Sequence, residues 1–402
     1  MGAYPAPLNT GETTVKPGVT VWLFVGTALG GTIWYTDVGE GQTLGSALPT
    51  AVSAPPGNPS TPARVALGRL LFWDPILSGE RDVACGSCHH PRFGYAEDRD
   101  LSIGASGIGL CDRRRFATGS AIPFVKRNSQ TILNVAFNGI DETGTYVPAT
   151  APMFWDVRAL SLEQQALEPI KALEEMRGST YPEATAVDTV VARLAANAAY
   201  RRLFAEAFGG EQPVTADNLG KTLAVFQRSL TAVQSRFDRY MRGESDAMSA
   251  SELRGMRRFE RIGCANCHSG PMFSDFKLHV LGVPDNPKLA SSDAGKEDSY
   301  AFRTASLRNL TLTAPYMHSG VFSTLEDVLD FYDDVGSRRG RARNRNQYVD
   351  REQLDPLLRR LRGVDEDDPD LVAFLRALSD ETFDRVIPAR VPSGLPVGGR
   401  IQ

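Results

Sequence analysis

Two short runs of this 402-residue chain carry the same chemistry: Cys-Gly-Ser-Cys-His at 85–89 and Cys-Ala-Asn-Cys-His at 264–268. In each, two thiols stand three residues apart and an imidazole follows directly. That spacing is the attachment signature of a c-type haem. The thiols add to the two vinyl groups, one turn of chain presents both sulfurs to one porphyrin edge, and the imidazole ligates the iron. A zinc or disulfide reading suits one Cys-x-x-Cys pair, but not two that are each followed by His. Cys85, Cys88 and His89, with Cys264, Cys267 and His268, are therefore the expected cofactor-binding residues of two covalently bound haem c groups. Such attachment takes place outside the bacterial cytoplasm, which implies an exported, periplasmic protein. The fifth cysteine, Cys111, is expected to be a buried or free thiol, and His90 a bystander.

What each iron meets on its other face sets the function. Two strong axial ligands make an electron carrier, and an open face binds oxygen species. Besides the motif histidines and His90, only His279 and His318 remain, so bis-His ligation at both irons is not expected. Met, Tyr, His or an open position stay in play.

Helices must position these motifs. "TPARVALGRLLFWDP" before the first motif and "SASELRGMRRFERIG" before the second each place apolar residues at helical spacing. Helix followed by motif thus occurs twice, about 180 residues apart, as a repeated module. Helical stretches are also expected over Ser161–Glu175, Ala186–Phe208 and Asn218–Arg242, and over "DPDLVAFLRALSD" near the C-terminus. In "STLEDVLDFYDDV", Leu325, Val328, Leu329 and Tyr332 form one apolar face, and Ser323 with Glu326 reads as a capping box. The fold class expected is mainly α, with two cytochrome c-like haem domains.

These segments resemble the bacterial dihaem cytochrome c peroxidase and MauG family. The matching runs are "LGRLLFWDPILSG", "CGSCHHPRFGY", "RNSQTILNVAFN", "FWDVRALSLEQQALEPI", "CANCHSGPMF", "LRNLTLTAPYMHSGVFSTLEDVLDFYDD" and "LVAFLRALSD", in that order from about Ala63 to Ser379. The first 60 residues have no counterpart.

The resemblance assigns roles by position. Trp155, Gln165 and Glu175 stand at the family's spacing for an inter-haem Trp and two residues lining the open face of the first haem, with Pro169 matching a proline of that face. A carboxylate there can take a proton from peroxide and return it to the leaving oxygen, while an amide orients it. A buried Trp packs as a core aromatic and can also pass electrons between irons. Where peroxidases of the family have a distal His, this chain has Ala105, which implies a five-coordinate first haem. Fourteen residues after His318, where those peroxidases place a Met ligand, stands Tyr332, as in MauG-like enzymes. A phenolate favours ferric iron over ferrous. The resemblance also implies one calcium ion held by the Asn128 side chain and the carbonyls of Thr313 and Pro315, oxygen donors that suit Ca²⁺.

The chain departs from the family at residues 106–124, an insertion with Cys111 and "DRRRF" that could shape substrate access. No Trp follows Trp155, which puts in doubt a Trp-mediated exit to a partner protein; Tyr300, Tyr316 and Tyr348 are substitutes.

Composition sets the frame. The chain is 42% hydrophobic and 23% charged with net charge −4, an ordinary globular balance that gives no reason to expect a nucleic-acid partner. The arginines at 113–115 and 337–346 are expected to be solvated loops. Residues 17–36 are uncharged and about a membrane span long, so 1–60 reads as an export signal, membrane anchor or docking segment plus a Pro-rich linker. The first haem domain is expected over 61–243, open to completion by the C-terminal tail, and the second over 244–402. The function implied is a MauG-like enzyme that reacts with hydrogen peroxide at a five-coordinate haem, stores oxidising equivalents over two haems and oxidises a protein or small molecule. One alternative is a dihaem cytochrome c peroxidase fed by a small cytochrome or cupredoxin. The other is a non-enzymatic dihaem electron-transfer protein.

Overall fold

The computed structural model describes residues 44–336, 345–365 and 367–401. Residues 17–36, the candidate signal or anchor, lie outside that range, as do residues 337–344 of the Arg-rich run. Among the described residues, no helix is long and apolar enough to cross a membrane.

The described chain is mainly helical. Its helices are α1 (Pro62–Trp73), α2 (Leu162–Gln165), α3 (Glu168–Lys171), α4 (Ala186–Ala196), α5 (Ala198–Phe208), α6 (Ala216–Ser229), α7 (Arg236–Met241), α8 (Ala250–Ile262), α9 (Leu325–Gly336) and α10 (Pro369–Ala377). Sheet is confined to two antiparallel pairs of two-residue strands, β1 (Gly107–Ile108) with β2 (Arg115–Phe116), and β3 (Leu278–His279) with β4 (Phe302–Arg303).

The helices that lead into the two motifs start where their side chains dictate. Thr61 accepts from Arg64 N and Pro62 opens α1, while Ser249 and Glu252 cap α8 reciprocally. Each of these helices then crosses a partner through a glycine. A Cβ on Gly68 would sit 2.4 Å from Thr222 O of α6, and one on Gly255 only 1.9 Å from Asp370 O of α10. No side chain fits between backbones that close.

Two apolar clusters flank these crossings. One gathers Leu67, Leu71, Tyr200, Phe204, Leu219 and Leu223 from α1, α5 and α6. The other is aromatic. Phe237, Phe259, Phe273 and Phe374 meet edge to face, with centroids 5.0–6.0 Å apart. Each such buried ring contributes roughly 1.5–3 kcal/mol.

Three expected helices are broken. Ser161–Glu175 becomes α2, α3 and a π-helical turn, Leu173–Arg177, because Ala172 is extended (φ −71°, ψ 129°) and Pro169 supplies no amide. Ala186–Phe208 divides at Asn197, whose Oδ1 takes the amides of Ala199 and Tyr200 and starts α5. The chain leaves helix between Ser229 and Arg236. The cap of α9 also lies one residue later than expected. Thr324 Oγ1 accepts from Asp327 N at 3.0 Å, and Asp327 Oδ2 accepts from Thr324 N at 2.9 Å. Ser323 and Glu326 do not form the box.

The C-terminal tail returns to the first motif. Ser87 Oγ donates to Gly398 O at 2.8 Å, Gly398 N to Trp73 O at 2.8 Å, and Arg400 N to Asp82 O at 2.9 Å.

Candidate active site: a cavity joining the two attachment turns

Both motifs fold into the same local shape. Each is a tight 3-10 turn, Cys85–Ser87 and Cys264–Asn266. The histidine amide that follows donates back to the first cysteine's carbonyl, at 2.9 Å in each case. The imidazoles are held alike. His89 Nδ1 donates to Tyr95 O at 3.1 Å and His268 Nδ1 to Phe273 O at 2.9 Å. In that tautomer Nε2 carries the free lone pair, the arrangement of a metal-ligating His oriented by its surroundings. Both acceptors, Tyr95 and Phe273, have left-handed backbone, φ 56° and 49°. Their rings anchor the strained turns: Tyr95 packs edge-on against Phe72 and Phe383, and Phe273 belongs to the aromatic cluster.

One cavity of about 770 Å³ is lined by both turns. Around the first lie Gln165, Pro169 and Glu175, and around the second Leu325, Leu329 and Tyr332. Trp155, Asn128, Thr313 and Pro315 line it as well. The fold therefore brings every residue expected at the site to one cavity.

The cavity fits two haem groups by its chemistry. Burial pushes the thiols of Cys85 and Cys264 up to about 12, and that of Cys88 higher still. Neutral sulfurs buried on a cavity wall suit thioether linkage, which leaves no charge to desolvate. Arg303 is buried, its guanidinium lowered to about 10 by desolvation, and it meets only neutral acceptors: Phe154 O, Thr304 O and Gln130 Oε1. A buried cation on a cavity wall without a carboxylate suits an anionic group such as a porphyrin propionate. His318 is also buried, with Nε2 unpartnered, stacked on Phe302 at 3.6 Å and lowered to about 4 by desolvation.

Glu175 sits in the π-helical turn, a rare geometry common at functional sites. Desolvation raises its carboxyl to about 7, with Arg158 opposing and Glu174 and Glu168 adding. Gln165 Oε1 accepts from Gln227 Nε2 of α6 at 3.3 Å. Gln227 carries no motif and was not singled out in the sequence; a buried Gln on an otherwise apolar helix face is the one signal it offers.

Trp155 Nε1 donates to Asn128 O at 3.1 Å, and its ring meets His318 edge-on at 6.3 Å. Asn128 spends its amide protons on Arg99 O and Asp100 O, at 3.0 and 3.2 Å, which leaves Oδ1 as an available oxygen donor. Tyr332 shares the cavity wall with the second turn. Burial raises its phenol, and the Cys267 and Cys264 sulfurs raise it further. Ala105 is buried, and its amide donates to Glu174 O at 3.2 Å.

Cys111 is buried as expected, its thiol raised to about 12 by desolvation. The arginine run 113–115 departs from expectation: Arg113 and Arg115 are solvated, but Arg114 is 3% exposed. His279 is clamped between carboxylates, Nδ1 2.6 Å from Asp355 Oδ2 and Nε2 3.1 Å from Asp275 Oδ2, and raised to about 11 chiefly by the bond to Asp275. Asp355 lies 76 residues from His279 in the chain, so this clamp is a product of the tertiary fold.

Paired attachment turns around one cavity define a two-haem c-type protein. The chain belongs to the dihaem cytochrome c peroxidase and MauG family, and is a peroxide-dependent oxidoreductase. The family profile described as di-haem cytochrome c peroxidase matches residues 62–246. The methylamine utilization protein MauG of Methylorubrum extorquens is 34% identical over 345 residues, 85% of either chain. Cytochrome c551 peroxidase of Pseudomonas aeruginosa is 30% identical over 300 residues, 72% of this chain and 77% of that one. Among solved structures, a MauG-like protein associated with microbial copper homeostasis superposes with TM-score 0.64 at 25% identity, over 87% of this chain and 97% of that chain.

Proposed function

We propose that this chain is a MauG-like dihaem enzyme of the periplasm that uses hydrogen peroxide to oxidise a protein or a small molecule. The observation that carries the reading is Tyr332, whose phenol lines the cavity beside the second attachment turn. No Met or His from α9 competes with it there. The relatives named MauG support the same choice.

His89 would hold one haem iron, and His268 with Tyr332 the other. When bound, the haems would supply the redox chemistry with peroxide. The chain's own groups manage protons and position. Glu175, raised to about 7, is poised to accept the proton of the attacking peroxide oxygen and return it to the leaving oxygen. Gln165 orients the peroxide, its carboxamide steadied by Gln227. Trp155 links the two halves of the cavity, and its indole is fixed by Asn128 O. Asn128 Oδ1, with the carbonyls of Thr313 and Pro315, would hold Ca²⁺ and stiffen this junction. The balance closes: the substrate gives up two electrons and two protons, and peroxide becomes two molecules of water.

Resting-state EPR of the ferric protein tests this. One high-spin and one low-spin haem are expected, and peroxide should change both haem bands together. Two low-spin haems would rule the reading out. The substrate itself is sought by mass analysis of genomically neighbouring proteins after peroxide treatment. A second reading, peroxide removal with electrons from a small redox protein, draws on the similarity to cytochrome c551 peroxidase. Rapid turnover with reduced cytochrome c would favour it.

A further inference from the structure

The insertion at 106–124 has its own device. Arg114 is buried, and its guanidinium is spent on backbone carbonyls. Nε donates to Ile103 O, Nη2 to Gly104 O at 2.9 Å and Nη1 to Gly109 O at 2.9 Å. Arg99 takes the carbonyl of Arg114 in turn, at 2.7 Å. Glu97, 2% exposed, has Oε1 3.9 Å from Arg99 Nε, and burial raises its carboxyl to about 7. A planar five-donor fork can gather three carbonyls, whereas an ammonium cannot match that geometry.

The loop thus gathered, 103–109, presses directly on the π-helical turn. Ala105 N donates to Glu174 O at 3.2 Å. Gly104 lies so close that a Cβ there would sit 2.3 Å from both Glu174 O and Glu175 O. The Arg114 guanidinium therefore reaches the π turn through the backbone of Gly104 and Ala105, and Glu175 of that turn lines the cavity.

We propose that Arg114 is a positioning residue of the peroxide pocket: by locking the 103–109 loop against Glu174 and Glu175, it sets where the Glu175 carboxyl stands. The proposal rests on the acid–base reading of Glu175. It gives the insertion a function in the reaction rather than at the surface.

The test compares Arg114→Ala, Arg114→Lys, Gly104→Ala and Glu175→Gln in the holoprotein. Hydrogen exchange by mass spectrometry and the pH profile of the peroxide rate are the readouts. In R114A, exchange should rise about ten-fold or more in peptides covering 103–109 and 173–177, with α8 and α10 unchanged. The peroxide rate should fall on the order of ten- to hundred-fold, as expected for a misplaced catalytic group, and its pH midpoint should shift. R114K should fall between. G104A, which wedges the loop away from the Glu174 and Glu175 carbonyls, should reproduce both effects, and R114K carries the test of Arg114 itself if R114A does not fold. E175Q should lose rate and pH dependence with exchange unchanged.

A wild-type rate and pH profile in R114A, or in G104A, overturns the proposal. So does exchange raised across the whole first half, which would make Arg114 a holder of the fold only. An E175Q protein with the wild-type rate removes the acid–base reading itself. A slow E175Q beside a wild-type R114A removes the positioning proposal alone.

Discussion

Gln227 Nε2 lies 3.3 Å from Gln165 Oε1, so helix α6 holds the amide that faces the first attachment turn. A single neutral hydrogen bond of this kind contributes about 1 kcal/mol. Gln227→Leu should therefore slow the peroxide reaction roughly five-fold, the factor that about 1 kcal/mol gives, through a loosened Gln165. Stopped-flow kinetics with EPR checks this: the rate should drop while the resting spin states stay as in wild type.

Glu175 sets the pH dependence. Its carboxyl titrates near 7, so the peroxide rate should rise with pH through about 7 and flatten above it, and E175Q should abolish the step. Stability moves the other way. In the unfolded chain the carboxyl ionises at its ordinary value, 4.5. Between there and about 7 the folded chain keeps a proton that the unfolded chain has released, so this group makes stability fall as pH rises across that window. E175Q should gain thermal stability relative to wild type at pH 8 and little at pH 4, by calorimetry.

Tyr332→Met replaces a hard oxygen by a thioether on the same face of α9. The second haem's reduction potential should rise by roughly 0.1–0.3 V, within the span of about 0.8 V that axial ligands cover. Redox titration followed in the visible bands measures it. An unchanged potential would show that Tyr332 only packs on the cavity wall.

Calcium removal should act through Asn128. Its backbone ties Trp155 Nε1 and His318 O together, at 3.1 and 2.7 Å, while its side chain is a proposed ligand. A chelator, or Asn128→Ala, should release one Ca²⁺ per chain by metal analysis. It should also uncouple the two haem bands, so that peroxide changes the first without the second.

Gly255→Ala places a methyl 1.9 Å from Asp370 O, backbone that cannot step aside without parting α8 from α10. The expected cost is about 1–3 kcal/mol, read as a lowered midpoint in denaturant. Haem content should be retained.

Local chemistry was legible from the chain alone. The attachment turns, the helices that lead into them and the apolar face of α9 depend on residues within one or two turns of each other, so composition and spacing suffice to find them; the α9 cap, expected at Ser323 and Glu326, moved to Thr324 and Asp327. The cavity-lining set Trp155, Gln165, Glu175, Asn128, Thr313, Pro315 and Tyr332 was also found, but through resemblance rather than periodicity. Spacing alone would have left Glu175 on an exposed, charge-rich helix.

Tertiary structure decided the rest, because burial and long-range pairing have no local signature. Glu175 ionises near neutrality because the fold desolvates it in a π turn that Pro169 and Ala172 break out of the expected helix. Arg114, in a run that reads as solvated, is buried because three carbonyls converge on it. Gln227 and Asp355 find Gln165 and His279 across 62 and 76 residues. Two motifs 179 residues apart were a fact of the chain; that they open onto one cavity, with Trp155 on its wall, follows only from how the helices pack.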